Sequence, residues 1–424
     1  MLLVFLTMII LLLLGFPFMV TLLGSTLLYF FIYLPGFNMN VVVQQIISGV
    51  SPPALVAVPM FILAAEIITS GKSSQKLIRM IRSFVGHIPG GLPITTNLSC
   101  TLFGAVSGST QATVSAIGGA MRPMLLKAGY PSSFTLGLII NSSDIAFLIP
   151  PSIGFIVYGV VTGTSIGKLF LAGIGPGLLI AFLFSLYCYA YSKIKGIGNA
   201  EKASWSERKD AIKDGALVLG FPAIIVGGIY GGFFTPTEAA AMGVAYAIFL
   251  EGVMYRSLTK ETLVNAFLAT GLITGVVFIL VGAGQVFSWL ISFLRLPQEV
   301  LPGIIGADPS QLRVIVLVAI AYFIACMFVD PIVAIYVLSP VFAPYVLHTG
   351  INPVLLGTIV TLQAAIGSAT PPFGCDIFTA QLVFRRPYLE VIGHALPFIL
   401  ILLFVNVLLV LFPQIALFLP NSML

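Results

Sequence analysis

Apolar runs long enough to cross a hydrocarbon core, about 20 residues each as helices, recur from one end of the chain to the other. They include residues 2–14, 18–33, 169–190, 217–232, 263–294, 314–329 and 397–420. A strand crossing a bilayer would alternate apolar and polar residues, and no such alternation is visible, so the crossings must be helical. Only 8% of the residues are charged and mean hydropathy is +1.12, whereas a soluble domain is about a quarter charged. The reading is an all-α polytopic membrane protein with roughly ten to thirteen crossings or partial crossings. The first run has no basic leader or small-residue cleavage site and is read as a retained helix.

Charge is distributed as in a multi-pass inner-membrane protein. Lys193, Lys195, Lys202, Arg208, Lys209 and Lys213 crowd the longest polar stretch, residues 192–214, which the positive-inside rule places in the cytoplasm. Lys72, Lys76, Arg79 and Arg82 alternate with Leu77, Ile78, Ile81 and Phe84, the spacing of an amphipathic helix lying on the membrane surface. The net charge of +5 points to no nucleic-acid partner. Cys100, Cys188, Cys326 and Cys375 are scattered through apolar segments without metal-ligand spacing and read as small buried hydrophobes. His87, His348 and His394 read as residues at polar ends of segments.

Proline positions give the architecture. A shift of 221 residues places Pro123 on Pro344, Pro150-Pro151 on Pro371-Pro372, Pro176 on Pro397 and Gly129 on Gly350. Four proline coincidences arise without a gap, against roughly half a coincidence by chance, the mark of an internal duplication. In each copy an apolar stretch is interrupted, at 104–113 and again at 327–331, and a Pro-containing segment follows. A helix broken by Pro-Pro comes next, carrying Asn141-Ser-Ser-Asp144 in one copy and Gly367-Ser-Ala-Thr370 in the other. Two hairpins turning inside the membrane, each beside a broken helix, are what inverted-repeat secondary transporters are built from. The division expected is 1–91 as N-terminal scaffold helices with the amphipathic helix, 92–191 as the first repeat core and 192–214 as a cytoplasmic connector. Residues 215–310 form scaffold and the second arm, 311–386 the second repeat core, and 387–424 a C-terminal helix.

Unwound backbone inside a bilayer persists only where it is buried in protein or lines a watery cavity, so the four matching interruptions mark a site. Glycine permits tight turns and proline frees a carbonyl one turn earlier. Those carbonyls, with Ser and Thr hydroxyls, are hard donors suited to a dehydrated alkali cation. Asp330 precedes Pro331 at the second interruption and falls on Ser109 of the first; both are read as cation-site elements. Arg122, the lone arginine in the first core, is the candidate clamp on a substrate carboxylate. Asp144 with Ser142 and Ser143 completes the candidate substrate set. Glu66, Glu238 and Asp376 read as structural or interfacial. Neither a nucleophile–base pair nor a phosphate-cradling loop is present, so coupling to an ion gradient or passive flow remains.

Several motifs together resemble the DctM-like large membrane subunit of tripartite ATP-independent periplasmic (TRAP) transporters. They are Val58-Pro-Met-Phe-Ile-Leu-Ala-Ala-Glu66, Phe103-Gly-Ala-Val-Ser-Gly-Ser109, Lys127-Ala-Gly-Tyr130, Ile149-Pro-Pro-Ser152 and Lys168-Leu-Phe-Leu-Ala-Gly173. Gly231-Gly-Phe-Phe-Thr-Pro-Thr-Glu-Ala239, Met327-Phe-Val-Asp-Pro331 and Thr370-Pro-Pro-Phe-Gly374 follow in order. The resemblance implies an elevator-type transporter of the bacterial inner membrane, coupled to Na⁺. It implies two protein partners, a small four-helix membrane subunit and a periplasmic substrate-binding protein. Carried over by position, the Na⁺ sites fall on Ser107, Gly108, Ser109 and Asn141, and on Asp330, Gly367, Ser368 and Thr370. Family substrates are organic acids; the polar residues at Arg122 and 141–144 point to sialic acid first and a C4-dicarboxylate next. A stand-alone Na⁺–carboxylate symporter of the divalent-anion type is the alternative, and a membrane-embedded enzyme or passive channel a more distant one.

Overall fold

A computed structural model describes residues 2–197, 202–306 and 308–423. Among them every regular element is helical, as the composition requires. Six helices are long and apolar enough to span a bilayer, seven if Leu396–Leu411 and Gln414–Met423, bent by 58°, count as one; shorter apolar helices accompany them.

The 221-residue shift extends well beyond its prolines. It carries Thr110–Lys127 onto 331–348, where Pro331–Thr349 is found, and Ser132–Ser143 onto 353–364, within Pro353–Ser368. Ile153–Thr162 lands on Cys375–Phe384 and Ser73–Val85 on Leu296–Ile305, each to within about two residues. One pair of counterparts differs for a visible reason. Asn40–Val50 and Ala57–Ser70 are separate helices with Pro52 and Pro53 between them. Their counterpart Lys260–Phe293 is continuous, because Ile273 and Thr274 stand where the prolines would fall.

Both hairpins and both broken helices form where the interruptions predict. Gly91–Ser107 turns at Gly108, whose φ of +60° only glycine adopts readily, and Ser109 caps Thr110–Lys127. Gln311–Cys326 turns into Pro331–Thr349 with Asp330 as cap and Pro331 at the first helical position. Each tip is tied to the break of its own repeat: the Ile153 N–H donates to the Gly108 carbonyl (3.4 Å) and the Phe373 N–H to the Met327 carbonyl (3.2 Å). The packing then crosses over. Ile153–Thr162 lies on Pro331–Thr349 of the other repeat, and Cys375–Phe384 lies on Thr110–Lys127. Such reciprocity is the signature of a two-fold relation between the copies.

Three of the segments read from the sequence take more specific forms. The amphipathic helix forms as Ser73–Val85, but its apolar face, Leu77, Ile78 and Ile81, is buried. That face packs on Trp205–Tyr230, while Phe84 stays exposed. Arg208 donates to the Ser83 carbonyl (3.1 Å), and Asp214 meets Lys76 (3.1 Å) and Arg79 (3.3 Å). The connector 192–214 is largely helical, since Ile166–Lys195 runs into it and Trp205–Tyr230 begins within it; residues 198–201 lie outside the described residues. Finally, the C-terminal segment is three helices, Tyr388–Ile392, Leu396–Leu411 and Gln414–Met423, interrupted near Gly393 and at Pro413.

Candidate functional site at the hairpin tips

Polar residues packed deep in an apolar protein are the place to look, because each buried polar group needs a partner. The tip of the first hairpin gathers Ser107, Ser109 and Thr113. The Ser107 and Thr113 hydroxyls are 3.0 Å apart, and the Thr113 hydroxyl donates to the Ser109 carbonyl (2.8 Å). At the tip of the second, the Ile332 N–H donates to Asp330 Oδ1 (2.8 Å). Both tips open on one cavity of about 330 Å³, lined also by Glu66, Gln111, Ala112, Phe147 and Ile153. Its far wall is apolar, from Leu272 to Leu280 of Lys260–Phe293. Ser107, Ser109 and Asp330, distant in sequence and expected at cation sites, are therefore brought together.

Beneath the cavity the broken helices end in a buried polar layer. Asn141, Ser142, Ser143, Ser368 and Asp376 are wholly enclosed and Asp144 is 1% exposed. Asp376 ties the repeats: the Thr110 hydroxyl donates to its Oδ1 (2.7 Å) and the Ser368 hydroxyl to its Oδ2 (2.6 Å). Gly367 sits where a Cβ would lie 2.5 Å from Cys326 Cβ, so the close approach of helix to hairpin demands glycine. Among the described residues Oδ1 of Asn141 and the Ser142 hydroxyl have no hydrogen-bond partner, and the Asp144 carboxyl receives no donor and faces the carboxyl of Asp376. Unpartnered hard oxygens buried at a helix break are the donor class a dehydrated alkali cation takes. By contrast no group of three His, Cys, Asp or Glu side chains is gathered among the described residues, and Cys100, Cys188 and Cys326 are buried free thiols.

Not every residue singled out from the sequence reaches this site. Arg122 is buried, but its Nη2 donates to the Ser132 hydroxyl (2.8 Å) and its guanidinium lies 5.4 Å from the Phe384 ring centroid; it does not line the cavity. Thr370 donates to the Ile366 carbonyl (2.6 Å), closing the end of its own helix. Asn141, Ser142, Ser143, Asp144, Gly367 and Ser368 are buried and do not line the cavity. In the other direction, Glu66 and Asp376, read from sequence as structural or interfacial, prove to be a cavity residue and the hub between the repeats. The available signal was positional: Asp376 opens the half-helix after the second break, as Gln111 and Thr110 open the helix after the first tip.

The comparisons with known proteins follow the same pattern. Residues 5–415 match the family described as the tripartite ATP-independent periplasmic transporter, DctM component. The chain is 56% identical to the ectoine TRAP transporter large permease protein TeaC of Halomonas elongata, over 98% of this chain and 97% of that one. It is 57% identical to the ectoine/5-hydroxyectoine TRAP transporter large permease protein UehC of Ruegeria pomeroyi, over 99% and 98%. In fold it resembles the Alcanivorax borkumensis YdaH transporter, with a TM-score of 0.63 over 93% of this chain and 96% of that one at 14% identity.

Proposed function

The chain belongs to the DctM-component family of tripartite ATP-independent periplasmic transporters, and from that premise we propose that it carries ectoine or 5-hydroxyectoine inward, coupled to Na⁺. It is a multi-pass protein of the bacterial inner membrane, and large permeases of its family work with a small membrane subunit and a periplasmic binding protein. Membership sets aside the stand-alone divalent-anion symporter. The substrate reading replaces sialic acid, because the relatives above half identity are named for ectoine. Ectoine is a cyclic amidine bearing a carboxylate, so the polar, acidic substrate read from the sequence keeps its acid group and gains a positive end.

The observation that carries the transport reading is the meeting of both hairpin tips, Ser109 and Asp330, on one cavity above the buried Asp144. Na⁺ would be held by the hard oxygens of Asp144, Asn141 and Ser142 on one side and by Asp330 on the other. Its charge offsets carboxylates that are costly to bury alone. Hairpins, half-helices and their cations then move as one body, with the N-terminal helices, Pro236–Ile248 and Lys260–Phe293 as the fixed frame. The repeats are inverted in this reading, so the two exposures of the site are near mirror arrangements, as alternating access requires.

The test is uptake of labelled ectoine into proteoliposomes holding this chain with its small subunit and binding protein. An inward Na⁺ gradient should drive accumulation, and choline replacement should abolish it. Accumulation driven equally by protons at zero Na⁺ would overturn the coupling, and uptake of sialic acid in preference to ectoine would overturn the substrate.

A further inference from the structure

We propose that Glu66 receives the positive end of the substrate in this cavity. The inference rests on the ectoine reading above and names the group that enforces it. Two carboxylates, Glu66 and Asp330, line the cavity, and none of the described lining residues is Lys, Arg or His. With Na⁺ at Asp330, Glu66 is the carboxylate of the lining left to meet a cationic group.

The two acids are not equivalent. Asp330 already holds the Ile332 N–H at the start of its helix and lies at the tip where a cation is read. Glu66 sits on Ala57–Ser70, is half-buried, and has no hydrogen bond or ion pair among the described residues. A carboxylate in a largely apolar cavity without a partner is costly, and the deficit is met when a cation docks. An amidinium presents two N–H groups fixed in one plane, the arrangement that meets both oxygens of a carboxylate as guanidinium does. The first backbone N–H groups of Thr110–Lys127, at the hairpin tip on the same cavity, offer donors to the anionic end. Ile62, Phe147, Val276 and Leu280 supply apolar wall for the ring between them.

Equilibrium binding of radiolabelled ectoine to the purified complex with its small subunit tests this at saturating Na⁺, with competition by the lactam carboxylate of similar ring that lacks the amidine. Glu66→Gln should weaken ectoine about tenfold or more, the scale of a lost charge-assisted pair, while the lactam binds as well as before or better. Glu66→Asp should recover part of the ectoine affinity. Unchanged ectoine affinity in Glu66→Gln overturns the proposal, as does equal loss of both ligands, which would mark a structural role. A tenfold rise in half-saturating Na⁺ with ectoine affinity unchanged at saturation also overturns it, assigning Glu66 to the coupling ion. Failure of the wild-type complex to bind ectoine at all overturns the substrate reading itself and this proposal with it, a result distinct from every variant outcome.

Discussion

Asp144 is the residue whose surroundings make the least sense without a bound cation. Its carboxylate is 1% exposed, receives no donor among the described residues and faces the carboxyl of Asp376, an arrangement that costs several kcal/mol unless the charge is met. Asp144→Asn removes the charge with little change of shape, so the variant should unfold at a higher temperature than wild type in Na⁺-free detergent. Wild type should gain stability with Na⁺, about 2.7 kcal/mol at a hundredfold excess over Kd, and the variant should lose most of that gain. A full Na⁺-dependent shift in Asp144→Asn, read by differential scanning fluorimetry, would remove Asp144 from the cation site. Arg122 supplies the contrasting case. Its Ser132 and Phe384 contacts hold it away from the cavity lining, so Arg122→Ala should cost about 1–2 kcal/mol of stability and leave ectoine affinity within twofold. A large loss of affinity in a stable variant would restore the substrate clamp read from the sequence. Rarity made Arg122 conspicuous in the chain; a serine ten residues on and a ring across the fold, which no local pattern shows, gave it another task.

At the scale of elements, much was legible because breakers act locally. Proline and glycine set the turns at Gly108 and Asp330 and the interruptions at Pro150-Pro151 and Pro371-Pro372, and a constant shift paired them. What stayed hidden was where elements dock, since that depends on faces meeting between segments far apart in the chain. The amphipathic helix is an example: its periodicity was plain, but not that Trp205–Tyr230 would cover its apolar side. Nor did the sequence single out Glu251, which is wholly buried in the distorted turn Phe249–Met254. It accepts from the Lys72 N–H (2.9 Å), the Ser73 N–H (3.0 Å) and hydroxyl (2.5 Å), and the Ser257 hydroxyl. A carboxylate there satisfies the first orphan donors of Ser73–Val85 and complements its dipole. Glu251→Ala should therefore cost about 2–4 kcal/mol, measured as a lower melting temperature. Gly71→Ala should produce the same lesion from the opposite side, since its Cβ would lie 2.0 Å from the Glu251 carboxyl carbon. If both variants melted with wild type, the helix would be held by its apolar face alone.

Considered as a whole, the molecule has a cavity with walls from two sets of elements. Ala65 lies on a helix packed against Pro236–Ile248 and Lys260–Phe293, while Ala112 lies on the first hairpin. If the hairpins travel, a bismaleimide joining cysteines at Ala65 and Ala112, in a background without the four native cysteines, should form in one state and stop ectoine uptake. Either single cysteine should transport normally, and full turnover in the joined protein would rule out relative motion. The crossed seating of the half-helices reaches further back, into how such a molecule is made and how it arose. Ile153–Thr162 is synthesised well before the helix it rests on, Pro331–Thr349, so the nascent first half waits in the membrane with an uncovered face. Order of insertion and order of assembly are therefore different, and chaperones or the insertion machinery must tolerate the interval. A single-copy ancestor would have met the same demand by pairing with a second copy of itself, each lending its half-helix to the other. Duplication and fusion turned that subunit interface into an interior, and made an association that once depended on concentration independent of it.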